Sequence, residues 1–121
     1  MTTREAGRVA EARAEKFLRD QGFKLVARNF LAKTGEIDLI MSKSDMLVFV
    51  EVRMRNNGRY GTGAETVTKR KQLKIINTAH IFLQKSAHWH SYRFDVVSIN
   101  DSIDKSISNA IDWIEGAFTL D

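Results

Sequence analysis

Apolar positions along the chain recur with two different periods, and the places where one gives way to the other outline the elements. Ala10, Ala14, Phe17 and Leu18 fall on one stripe of a helix that Gly22 is placed to stop. Thr2 and Glu5 have the spacing of a capping box at its start. The pattern then shortens to strand period. Phe23 to Phe30 reads as a first strand, and Glu36 to Met41 with Met46 to Arg53 as a hairpin turning through "SKSD". Next comes "MRNNGRYGTGA", a loop of eleven residues with three glycines, long enough to expect function or mobility from it. From about Thr68 helical spacing returns, with Gln72, Ile75, Ile76, Ala79, Phe82 and Leu83 on one side. "SYRFDVVSI" reads as a further strand, and "AIDWIEGAF" is short and ambiguous, a candidate last strand. This order predicts an α/β sandwich with a mixed sheet, one domain over residues 1–121.

Two acids interrupt the apolar runs of the hairpin. Leu47, Phe49, Glu51 and Arg53 share one face of the second strand, and Val48, Val50, Val52 and Met54 share the other. Both faces begin apolar, so this strand is expected to be central. On the first strand Asp38 shares a face with Glu36 and Ile40, opposite Ile37, Leu39 and Met41. A four-residue turn would pair Met41 with Met46, set Glu36 across from Glu51 and leave Asp38 diagonal to Glu51, roughly 7 Å away at the backbone. Carboxylates so placed repel and lose hydration, so they need a cation, protons or an arginine. A hard divalent ion, Mg²⁺ or Mn²⁺, suits them: it takes oxygen ligands, retains waters, and activates one of those waters next to a phosphate. The competing explanation is that Arg53 and a lysine simply pair with Glu51 and Asp38 at a strand end.

Composition narrows the classes. With 121 residues, 43% of them hydrophobic, the chain can bury one core. The absence of cysteine excludes disulfides and thiolate metal sites. The opening "MTTREAGRVAEARAEKF" is too charged for a secretory signal, and no apolar run reaches the roughly 18 residues of a membrane span, so a cytoplasmic protein without membrane contact is expected. Nineteen Lys+Arg against fifteen Asp+Glu give a net charge of +4 and a pI near 9.6, a mild bias toward nucleic acid.

"GEIDLI", "VFVEVR", a basic glycine-containing loop, "AETVTKRKQLKI", "YRFDVVSI" and "WIEGAF" together resemble the YraN family of small uncharacterised bacterial proteins, nearly end to end. That family in turn resembles the PD-(D/E)xK nuclease superfamily, especially the archaeal type of Holliday-junction resolvase. The resemblance implies a restriction-endonuclease-like mixed sheet flanked by helices. It also implies metal ligation by Asp38, Glu51 and the Val52 carbonyl, with Glu11 assisting. Two positions depart from the superfamily pattern: Ile37 stands where a proline precedes the aspartate, and Arg53 stands where lysine is usual. Arginine stays protonated near neutral pH, so Arg53 could hold a phosphate or orient a water but could not act as a base.

Among the other cations, Lys69, Arg70, Lys71 and Lys74 crowd the start of the second helix, where the macrodipole disfavours them and an external anion would relieve the conflict; a solvated basic face is the alternative. Arg55, Arg59 and Tyr60 could follow a phosphate backbone, with Tyr60 stacking on a base. His88 and His90 resemble a metal pair but lack a third ligand. Asp95 is expected first to partner a core arginine or a turn amide. The resulting expectation is a Mg²⁺- or Mn²⁺-dependent endonuclease acting on structured DNA, with a homodimer in view if two strands are cut. The alternative is an inactive nucleic-acid-binding or protein-interaction module.

Overall fold

The computed structural model describes residues 3–56, 67–86, 88–101 and 111–119. Helix α1 (Thr3–Asp20) precedes three strands, β1 (Lys24–Ala32), β2 (Gly35–Lys43) and β3 (Met46–Asn56). Helix α2 (Lys69–Lys85), β4 (Ser91–Asp101) and β5 (Ile111–Ile114) follow. Thr2, half of the expected capping box, lies outside the described residues. At the other end of α1, Gly22 adopts φ 98°. There the Phe23 N–H donates to the Leu18 carbonyl at 3.0 Å and the Gly22 N–H to that of Arg19 at 2.9 Å. This left-handed turn satisfies two carbonyls that the helix end would strand.

The strands form one sheet in the order β1-β2-β3-β4-β5. The β3–β4 pair is parallel and the other pairs antiparallel. That arrangement follows from the connections, because strands that run the same way need a crossover, and α2 lies between β3 and β4 in the chain. The central strand β3 is buried on both faces. Leu47 and Phe49 pack under α2 with Ile75, Ile76 and Ala79, while Val48 and Val50 pack under α1 with Ala10, Ala14 and Leu18. Each helix thus covers one face with the apolar stripe visible in its sequence. The architecture is a mixed α/β one, consistent with a restriction-endonuclease-like core. No described helix is long and apolar enough to cross a membrane.

Three local expectations need correction. The hairpin turns in two residues, Ser44 and Asp45, so Lys43 pairs with Met46 and Met41 with Val48. Ser44 takes φ 54°, the positive value that tight hairpins require, and the His90 N–H donates to the Asp45 carbonyl at 3.1 Å. Strand β1 is offset from the expected one: Phe23 belongs to the helix stop, and the strand runs on to Ala32. Finally, Ile37 packs with Ile40 in the α2-side core, whereas Leu39 and Met41 lie in the α1-side core. The alternation slips at Asp38, where the β2–β3 ladder has ended at Leu39–Val50 and Asn29 of β1 sits at φ 49°.

Candidate metal and nucleic-acid site

The two-residue turn builds the site. Extended by one position beyond Leu39–Val50, its register sets Asp38 directly across from Glu51, closer than the diagonal that a four-residue turn would have given. One position further, Ile37 would face Val52, but the ladder does not continue. The Val52 N–H instead donates to Asp38 Oδ2 at 2.8 Å, so a side chain takes the place of a strand carbonyl. A residue in a strand projects its N–H and C=O toward the same neighbour. The Val52 carbonyl therefore points to the side on which Asp38 stands.

Asp38 is held in its uncharged form. Burial, followed by a hydrogen bond to Glu51 and the Glu51 charge, pushes its carboxyl from 3.8 up to about 8; the Val52 N–H opposes this shift and Glu11 adds to it. Glu51 itself is 4% exposed. Its Oε2 lies 2.8 Å from Lys71 Nζ and 3.7 Å from an Arg53 Nη. Lys71 reaches it because α2 begins over this end of the sheet, capped by Thr68, whose hydroxyl accepts from the Lys71 N–H at 3.2 Å. Asp38 and Glu51 open on a cleft of about 450 Å³, whose wall includes Glu36, Arg70, Lys71 and Lys74.

The donor set suits a hard cation. Two converging carboxyls and a backbone carbonyl are all oxygen, and a cation between them would relieve the repulsion that raises the Asp38 carboxyl. Among the described residues no group of three or more His, Asp or Glu side chains could hold a metal. His88 and His90 have different neighbours: His88 lies against the Trp89 ring at 4.6 Å, and His90 Nε2 is 3.9 Å from Asp45 Oδ2.

The other expected residues fall in different places. Glu11 stands one groove away, its Oε1 accepting from Asn29 Nδ2 at 3.0 Å, and reaches Asp38 through its charge. Lys69 is exposed at the start of α2, outside the residues that line the cleft. Arg59, Tyr60 and the side chain of Arg55 lie outside the described residues. Asn29 was not anticipated; Glu36, expected directly across from Glu51, lies two residues away from that register position and on the wall of the cleft. Asn29 carried one available signal, since asparagine tolerates positive φ better than its apolar neighbours in the strand. The expected pairing of Glu51 with Arg53 and a lysine is present, and tertiary packing decides that the lysine is Lys71.

Comparison with known proteins adds the family. A model described as "Uncharacterised protein family UPF0102" matches residues 10–99. A UPF0102 protein of Pseudomonas syringae pv. syringae is 43% identical over 119 residues, covering 97% of this chain and 95% of the relative. One from Hahella chejuensis is 45% identical over 116 residues, 95% of this chain and 90% of the relative. One from Vibrio campbellii is 42% identical over 119 residues, 96% and 93% respectively.

Proposed function

The chain belongs to the uncharacterised protein family UPF0102, and we propose that it hydrolyses phosphodiesters in structured DNA with the help of Mg²⁺ or Mn²⁺ at the open end of the β2–β3 hairpin. The supporting observation is the direct opposition of Asp38 and Glu51 at the mouth of a cleft bordered by α2 cations, where burial and the neighbouring Glu51 raise the Asp38 carboxyl. A purely structural acid pair would gain nothing from facing such a cleft. In this reading Asp38, Glu51 and the Val52 carbonyl hold the metal. When bound, the ion supplies an activated water and neutralises charge on the phosphate. Lys71 and Arg53 orient Glu51 and border the path of the phosphate. Arg70 and Lys74 contact neighbouring phosphates, and Glu11 modulates the charge at Asp38. Cutting both strands of a branched substrate would call for a two-fold dimer.

One observation favours a second reading. Arg53 cannot serve as a base, and Glu51 already carries two cationic neighbours, as a nucleic-acid-binding module without catalysis would require. Cleavage of branched, single-stranded and duplex DNA by wild type, Arg53→Lys and Glu51→Ala separates the two. Metal-dependent cleavage abolished by Glu51→Ala and altered in rate by Arg53→Lys supports hydrolysis. Identical background in all three, with salt-sensitive DNA binding retained, supports the binding module.

A further inference from the structure

Three open grooves join end to end across the molecule. The cleft of Asp38 and Glu51 shares Glu36 with a second groove of about 670 Å³, lined by Arg4, Gly7, Arg8, Glu11, Asn29 and Glu36. Arg8, Glu11 and Asn29 are shared in turn with a third, of about 580 Å³, between α1 and β1. The cations of that third groove are largely committed: Arg19 and Arg28 both bond Glu15, and Lys16 pairs with Asp20. Arg4 and Arg8 differ. Both are exposed, they stand one helical turn apart, and neither makes an ion pair among the described residues. Between them Gly7 occupies the interior of α1, where glycine is a poor choice. Its backbone does not need glycine, since its φ is not positive, and a Cβ added there would meet nothing within 4 Å. The missing side chain therefore leaves space at the floor of a groove flanked by two available guanidiniums.

We infer that the Arg4–Gly7–Arg8 face of α1 receives the phosphate backbone of the nucleic-acid strand on the side of Asp38 and Glu51 opposite α2. This rests on the proposed function and extends it. Of the two grooves that meet at Glu36, one holds Asp38 and Glu51 with Arg70, Lys71 and Lys74, and the other holds Glu11 with Arg4 and Arg8, so each groove sets cations beside its acids. A polyanion passing from one groove into the other meets cations on both sides of Asp38 and Glu51, an arrangement suited to a strand that continues past the carboxylates in both directions. Glycine lets that backbone approach the helix closely, and each guanidinium offers a forked contact to a phosphate.

The test is the salt dependence of binding to single-stranded and branched DNA. Every phosphate that the protein ceases to neutralise lowers the log–log slope by roughly 0.7 to 0.9. Arg4→Ala with Arg8→Ala should therefore make the slope shallower by roughly 1.4 to 1.8 without changing the melting temperature, since both side chains are exposed. Gly7→Leu, a helix-favouring change that fills the groove, should keep or raise the melting temperature while weakening binding about tenfold. Wild-type slope and affinity in both variants, with a shallower slope for the triple variant Lys69→Ala, Arg70→Ala and Lys71→Ala, would overturn this inference and leave the proposed function standing. Absence of wild-type binding to any nucleic acid at low salt would overturn both.

Discussion

Two aspartates interrupt apolar strands of the same sheet, and their surroundings are opposite. Asp95 on β4 is fully buried and fully satisfied. It accepts from Arg93 Nε at 2.7 Å, Arg93 Nη2 at 2.9 Å, Trp113 Nε1 at 2.9 Å and the Gly116 N–H at 3.0 Å, tying β5 and the turn after it to β4. Asp38 on β2 receives one N–H, from Val52, and otherwise faces another acid. A buried carboxylate with every lone pair engaged explains itself as architecture. One held uncharged against a second carboxyl at the rim of a cleft is a candidate functional site, because the fold alone does not require it.

The comparison breaks first at Asp95. Asp95→Ala should lose about 3–5 kcal/mol, since it leaves the Arg93 charge, the Trp113 N–H and the Gly116 N–H without their acceptor. Chemical denaturation followed by tryptophan fluorescence measures this, and a loss below about 1 kcal/mol would remove Asp95 from its structural role.

Asp38 should behave in the opposite sense. Its folded carboxyl is raised from 3.8 to about 8, so the folded protein holds a proton that the unfolded chain releases. The associated stabilisation is complete below about pH 4 and is lost as pH rises through about 8. Metal-free wild type should accordingly lose stability across that window. Asp38→Asn keeps an acceptor for Val52 and offers Glu51 a permanent donor, so it should flatten the curve and exceed wild type above pH 8 by on the order of 1–3 kcal/mol. Glu15 does not mask the effect. Hydrogen bonding from Arg28 lowers its pKa from 4.5, so its contribution is present above that value and lost as pH falls, in a separate acid window. Mg²⁺ at tenfold excess over its Kd should stabilise wild type by about 1.4 kcal/mol and leave Asp38→Asn unmoved; an equal response in both would take Asp38 out of the metal site.

The smallest effect sharpens the link between α2 and the acids. Thr68→Ala removes the cap under Lys71 and should cost about 1 kcal/mol in thermal unfolding. If Lys71 orients Glu51 as proposed, this variant should also weaken Mg²⁺ binding in calorimetry. Loss of stability with unchanged metal affinity would limit Thr68 to the helix.

The sequence by itself determined the order of elements, the apolar stripes of α1 and α2, the two-sided burial of β3 and the partnering of Asp95 by an arginine, Arg93, two residues away on its own strand. These follow from contacts between residues close in the chain, or from alternation that any strand imposes on its own neighbours; that Trp113 and the Gly116 amide also reach Asp95 was decided by tertiary packing. It also carried the family, through motifs spread along nearly the whole chain. Tertiary structure alone decided that Asp38 faces Glu51 directly, that Ile37 joins the α2-side core, and that Lys71 rather than Arg53 makes the shorter contact to Glu51. The physical reason is that register depends on how the turn closes. Ser44 at φ 54° removes two residues from the expected turn, and each pairing along β2 and β3 moves with it. Lys71 meets Glu51 because the crossover returns α2 over the end of the hairpin, a distance in space that spacing along the chain does not encode.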